Sequence, residues 1–157
     1  TWHFIGQVQS NKTRDIATHF DWVHTVDRAK VARRLAEQRS PHVAPLQVCI
    51  QLRLADEPGK GGVPPSEAAA LAAEILALPR LRLRGLMCVP PPSDDPATQR
   101  RWFAEVRRCR DALQAGHPGL VLDTLSMGMS GDLESAIAEG ATLVRIGTAL
   151  FGPRAPQ

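Results

Sequence analysis

Six short apolar runs alternate with five helical patterns along this chain, and that alternation restricts its fold more than any other feature. The runs are "WHFI" (2–5), "WVHTV" (22–26), "LQVCIQLRL" (46–54), "LRLRGLMCV" (81–89), "LVLDTLS" (120–126) and "ATLVRIG" (141–147). Between them lie "KTRDIATHF", "DRAKVARRLAEQR", "SEAAALAAEILAL", "PATQRRWFAEVRRCRDALQ" and "DLESAIAEG". Asp27 and Ser66 are the expected N-caps of the second and third helices, Pro96 sits in the first turn of the fourth, and Gly140 ends the fifth. Strict β–α alternation predicts an α/β fold with a parallel sheet and helices covering it. Two architectures satisfy the pattern: an open doubly wound sheet, or a (β/α)8 barrel of which six strands are part. No GxGxxG follows the first strand, so a dinucleotide-binding sheet gains no support.

A chain of 157 residues, 43% of them hydrophobic, is long and apolar enough for one domain with a core. The net charge of +3 is too small to argue for nucleic acid. The basic runs "KVARRLAEQR" and "QRRWFAEVRRCR" carry apolar residues at helical spacing; they read as solvated helix faces, with an anion-binding surface as the rival. Cys49, Cys88 and Cys109 are odd in number and widely spaced, and form no metal pattern. They predict a reduced, cytoplasmic protein. No apolar run is long enough to span a bilayer.

The last third carries the chemistry. "LDTLSMGMSGDLESAIAEG" runs from a strand through a Ser/Gly loop into a helix, and "LVRIGTALFG" repeats the arrangement one strand later. Small residues opening a helix expose unpaired N–H groups and a favourable dipole to an anion. Two such loops on successive strands can share one phosphate, with Ser126, Ser130 and Thr148 offering hydroxyls and Met129 and Gly147 offering N–H groups. The competing reading is a pair of ordinary βα turns with Ser130 or Asp132 as N-cap. Arg145 interrupts an otherwise buried strand, so it meets either a carboxylate in the core or a ligand.

"WHFIGQVQSNK", "DEPGKGG", "LRLRGLMCVP" and "LSMGMSGDLESAIAEGATLVRIGTALFG" occur in that order along the chain. Together they resemble the YggS/PROSC family of pyridoxal-phosphate homeostasis proteins. The resemblance implies a single barrel similar to the N-terminal domain of alanine racemase. It also implies pyridoxal 5′-phosphate (PLP) as cofactor, held by a Schiff-base lysine on the first strand, and a role in buffering and delivering PLP rather than in catalysis. Apo PLP-dependent enzymes are the implied recipients. On this resemblance Ser126, Met129, Ser130, Gly147 and Thr148 form the phosphate cup, and Arg145 faces the pyridine nitrogen. His3 either lines the barrel mouth near the ring or is a structural residue.

The family places "HFIG" on the third barrel strand. The expectation is therefore a partial barrel of strands three to eight over residues 1–157, beginning after two βα units and without the anchoring lysine. Lys12, Lys30 and Lys60 do not match that lysine's position; Lys60 lies in a Gly-rich loop, where it is either solvent-exposed or able to reach a passing aldehyde. Two enzyme readings compete: a PLP-dependent racemase or decarboxylase of the same fold type, and a barrel enzyme acting on another phosphorylated metabolite. A racemase of that type takes its second acid/base from a tyrosine, and this chain has none. The other enzyme would need acid/base residues at strand ends, and no convergent carboxylate pair is evident.

Overall fold

A computed structural model describes residues 1–57 and 59–152. Pro58 of the "DEPGKGG" loop and the last five residues of the expected 1–157 domain lie outside the described residues. Six strands form one sheet, β1 (His3–Phe4), β2 (Trp22–Val26), β3 (Leu46–Leu52), β4 (Leu81–Cys88), β5 (Thr124–Met129) and β6 (Leu143–Arg145), in the order β1-β2-β3-β4-β5-β6. Every neighbouring pair is parallel. The connections carry helices α1 (Thr13–His19), α2 (Ala29–Gln38), α3 (Ala68–Leu76), α4 (Pro96–Gly116) and α5 (Leu133–Ala138), with α6 (Thr148–Phe151) after the last strand. This is an α/β fold with sequential parallel strands.

The sheet curls, and one contact measures the curl. In a flat sheet β2 and β5 would stand three strand spacings apart, about 14 Å. Yet His24 Nδ1 of β2 lies 2.7 Å from Ser126 Oγ of β5. The concave face is thus closed enough for side chains of non-adjacent strands to meet, as in half of a barrel. On the convex face the helices bury Ile16, Val31, Leu35, Leu71, Ile75, Phe103 and Val106 against the sheet in one continuous apolar core.

Several local expectations differ from the structure. The fifth strand covers Thr124–Met129 rather than 120–126. Residues before it satisfy their backbone through a side chain: Leu122 N–H donates to Gln114 Oε1 at 2.8 Å, and Gln114 Nε2 donates to the Leu120 carbonyl. Asp27 does not cap α2; its carboxylate accepts from Arg28 Nη1 at 2.7 Å instead. Ser66 sits within a 3-10 turn, Pro65–Glu67, that precedes α3 and makes no side-chain cap. Asp95, which the sequence reading did not single out, caps α4, accepting from the N–H groups of Ala97 and Thr98 just ahead of Pro96.

α4 fixes the loop that follows β5. Gln99, nearly buried, donates to the carbonyls of Ser93 and Gly131 and accepts from Ser135 Oγ at 2.6 Å. Glu139, just past α5 and also buried, pairs with Arg100 and Arg107. Two members of the basic run in α4 are therefore tied to α5. No described helix is long and apolar enough to cross a membrane.

Candidate functional site

β5 is buried along nearly its whole length, and its exit bends at Gly128, whose φ is +96°. Only glycine fits there, because a Cβ would stand 2.6 Å from that of Ala136. The chain then turns through Met129–Gly131 into α5, while β6 exits through Ile146 and Gly147 into α6. Both strands are parallel, so both loops lie at the same end of the sheet. They touch: the Ala149 N–H donates to Ser130 Oγ at 3.2 Å.

These loops border a cleft of about 950 Å³. Met129, Ser130, Arg145, Gly147, Thr148 and His3 all line it, together with Ile5, His24, Gly131, Leu143, Val144 and Ile146. Six of the seven residues singled out in the sequence are thereby brought to one cavity. Ser126 stands apart. It is fully buried beneath the cleft, and its hydroxyl is engaged by His24 and by Arg145 Nη1 at 2.9 Å.

The two loops differ in what they leave available. Met129's N–H is taken, donating to Asp132 Oδ1 at 2.6 Å. Asp132 occupies the N-cap position of α5 without capping the helix. On the other loop, the N–H groups of Gly147 and Thr148 meet no acceptor among the described residues. The helices behind the loops are six and four residues long, so the expected dipole contribution is small and the individual N–H and hydroxyl groups carry any attraction for an anion.

Arg145 meets no carboxylate among the described residues. Its Nη1 donates to the carbonyl and the hydroxyl of Ser126 at 2.8 and 2.9 Å, and its Nη2 donates to the Cys88 carbonyl at 2.8 Å. The Nε hydrogen and the second Nη2 hydrogen remain for a ligand. Burial lowers its pKa from the ordinary arginine value, with the neighbouring Cys88 and Asp132 opposing. The group stays a cation at any physiological pH.

Two histidines share the concave face. His3 Nδ1 and His24 Nε2 are 2.8 Å apart, and His3 also stacks on Trp22 with ring centroids 5.2 Å apart. Burial, then His3 and then Arg145 lower the pKa of His24 to about 4, so it is neutral at pH 7. Burial, with the amino terminus, lowers that of His3 also, against a smaller opposing effect of Asp21. Sequence reading did not single out His24. Its signal was positional: in "WVHTV" it shares a strand face with Trp22, beside His3 on the neighbouring strand.

No lysine and no carboxylate lines the cleft among the described residues. Lys60 instead pairs with Glu57 at 2.8 Å. The cysteines are free, and burial pushes the thiols of Cys49 and Cys88 up to about 12, which leaves them unreactive at neutral pH. The cleft therefore offers one fixed cation, neutral hydrogen-bond donors and apolar walls. That set suits an anionic, partly apolar molecule, and a volume of this size has room for one.

Comparison with known proteins agrees with this chemistry. Residues 1–155 match the family model described as alanine racemase, N-terminal domain. The chain is 56% identical over 153 residues to the pyridoxal phosphate homeostasis protein of Pseudomonas aeruginosa, covering 98% of this chain and 64% of that protein. It is 52% identical to the protein of the same name from Pasteurella multocida, covering 98% and 66%. Among solved structures, PipY of Synechococcus elongatus with PLP bound superimposes with a TM-score of 0.89 at 39% identity, covering 97% of this chain and 70% of that one. The chain thus spans somewhat less than two thirds of the length of these curated relatives.

Proposed function

The chain belongs to the alanine racemase N-terminal domain family, and from that premise we propose that it binds PLP as a homeostasis protein, holding and delivering the cofactor without catalysing its chemistry. One observation carries the reading: the loops after β5 and β6 meet above Arg145 in a single cleft. In this reading β1–β6 correspond to strands three to eight of an eight-stranded barrel, and residues 1–157 form one domain. Apo PLP-dependent enzymes are the acceptors, and the free thiols fit a cytoplasmic setting.

The residues fit the cofactor's parts. Thr148, Gly147 and Ser130 supply hydroxyl and N–H donors to the phosphate. Arg145 presents an N–H to the ring nitrogen. Because a guanidinium does not give up its proton, the nitrogen is left unprotonated. Bound PLP supplies an electron-withdrawing ring and an aldehyde; the arginine weakens the first. Leu143, Val144 and Ile5 give the cleft apolar walls that would help to exclude water around the ring. His3 lines the same cleft from β1, at the other end of the strand order from β6.

Equilibrium titration of the full chain tests the reading. PLP should bind saturably and inorganic phosphate should compete. Thr148→Val should weaken both, whereas Arg145→Met should weaken PLP and leave phosphate nearly unchanged. Saturable PLP binding that phosphate does not displace, or no binding at all, would refute it.

A further inference from the structure

Arg145, Ser126, His24 and His3 form an unbroken line of hydrogen bonds across the concave face, with links of 2.9, 2.7 and 2.8 Å. It joins β6 to β5, β2 and β1. We infer that this line is a proton-ordered relay that holds His3 as the Nε2–H tautomer, a neutral donor to an oxygen acceptor of the cleft's ligand, with Ser126 and His24 as positioning residues. The role of His3 toward a ligand rests on the PLP reading above; the order of the protons does not.

The order follows from one end. Arginine only donates, so Ser126 Oγ accepts from Arg145 Nη1. Ser126 is fully buried, and its own hydrogen needs an acceptor. Among the described residues the only one bonded to that hydroxyl, besides Arg145, is His24 Nδ1. His24 therefore accepts at Nδ1, and as a neutral ring carries its hydrogen on Nε2. That hydrogen points to His3 Nδ1, which must then accept. His3, neutral in turn, carries its hydrogen on Nε2, which has no acceptor among the described residues. The opposite order leaves the hydrogen of a fully buried serine unpaired, which is unfavourable. Burial, then His3 and Arg145, keep His24 neutral at pH 7, so its ring carries a single hydrogen.

The relay has a consequence for ligand choice. His3 lines the cleft from β1, at the other end of the strand order from β6, so what it offers a ligand there is its Nε2–H. A locked N–H there favours an oxygen acceptor, and it disfavours a cationic or donor group at the same place. Stacking on Trp22 fixes the ring plane that carries the donor.

Long-range proton–nitrogen NMR spectra of the labelled full chain at neutral pH read the tautomers directly, with no ligand present. The expected result is a bare Nδ1 and a protonated Nε2 on both rings. Ser126→Ala should introduce the Nδ1–H form at His24 and with it a mixture at His3, a change that a merely structural serine would not produce. An Nδ1–H tautomer at either ring of the parent protein would overturn the relay. A second arm measures affinity for PLP and for inorganic phosphate. His3→Leu should weaken PLP about threefold to tenfold, the range of one net hydrogen bond, and alter phosphate less than about twofold. Equal weakening of both, or of neither, would overturn the donor role of His3. If the parent chain binds neither probe, the PLP reading and the ligand role of His3 fall together, and the spectra still decide the relay.

Discussion

Replacing Gly85 by alanine should cripple the sheet at the point where β5 is hung on β4. The two strands pair through Gly85↔Thr124, Leu86↔Leu125 and Met87↔Ser126. A Cβ built on Gly85 would lie 1.7 Å from the Thr124 carbonyl oxygen and 2.7 Å from its carbon. Close carbon–oxygen contacts in sheets stop at about 3.3 Å, so β5 must retreat by roughly 1.6 Å. The obstacle is backbone, and no rotamer change relieves it. Overpacking of this kind costs about 1–3 kcal/mol. Each ladder hydrogen bond lost adds about 0.5–1.5 kcal/mol. The total is about 2–5 kcal/mol, which with an m-value of about 2 kcal/mol/M lowers the urea midpoint by about 1–2.5 M. Gly116→Ala is the control: nothing stands within 4 Å of its Cβ, and alanine there should be neutral or slightly stabilising. Equilibrium urea unfolding followed by far-UV circular dichroism compares the three proteins. β5 also carries Ser126 and leads to Ser130, so PLP affinity should fall in Gly85→Ala alone. A midpoint within about 0.3 M of the parent would show that β5 does not lie against β4 as described.

Three further outcomes are expected. His24 has a pKa of about 4 in the folded chain against 6.5 unfolded, so the unfolded chain binds more protons between these values; stability should be full above about pH 6.5 and fall toward pH 4, and His24→Leu should flatten that stretch of a stability–pH curve. Because none of Lys12, Lys30 and Lys60 lines the cleft, borohydride reduction of the 157-residue chain with PLP, followed by peptide mapping, should label no single lysine stoichiometrically. Finally, β1 and β6 each have one strand neighbour, and Trp2, Ile5, Leu150 and Phe151 near them are 72%, 50%, 72% and 87% exposed; sedimentation velocity should show concentration-dependent association of this chain, and a monodisperse monomer would contradict the prediction.

The parallel α/β arrangement was legible because period and punctuation agree: β2 falls on 22–26 as the apolar run predicts, and Asp95-Pro96 opens α4. Where the reading slipped, the deciding partner was distant in sequence. "LVLDTLS" is apolar enough for a strand from residue 120. Gln114, on the preceding helix, takes the backbone groups of Leu120 and Leu122, and pairing with β4 begins only at Thr124. The same holds for caps. Asp27 has the right side chain for α2 but is drawn to the neighbouring guanidinium of Arg28. Ser130, Gly147 and Thr148 were placed on loops after strands from the sequence, with ordinary turns as the rival reading, and the structure brings all three to one cleft. His24 was not legible, because a histidine in a buried strand acquires meaning only from what the curl of the sheet brings to it.

Arg145 is a half-buried cation held by dipoles alone among the described residues. The sequence left two partners open, a core carboxylate or a ligand. None of the ion pairs among the described residues includes it. Its three bonds go to two carbonyls and one hydroxyl, dipoles that solvate the guanidinium without neutralising it. Partial burial of an uncompensated cation is unfavourable, and the lowered pKa registers that penalty. A fold keeps such a charge at little benefit to its own stability. The benefit arises when an electron-rich group enters the cleft, because the guanidinium is already oriented and partly stripped of water, and so loses little on binding. The neutral state of His24 belongs to the same arrangement. A second cation one serine away would compete with Arg145 for the same oxygen, and burial prevents it from forming. Among the described residues lining the cleft, Arg145 is thus the one fixed positive charge, with its hydrogen bonds ordered around it, an arrangement suited to receiving an electron-rich group.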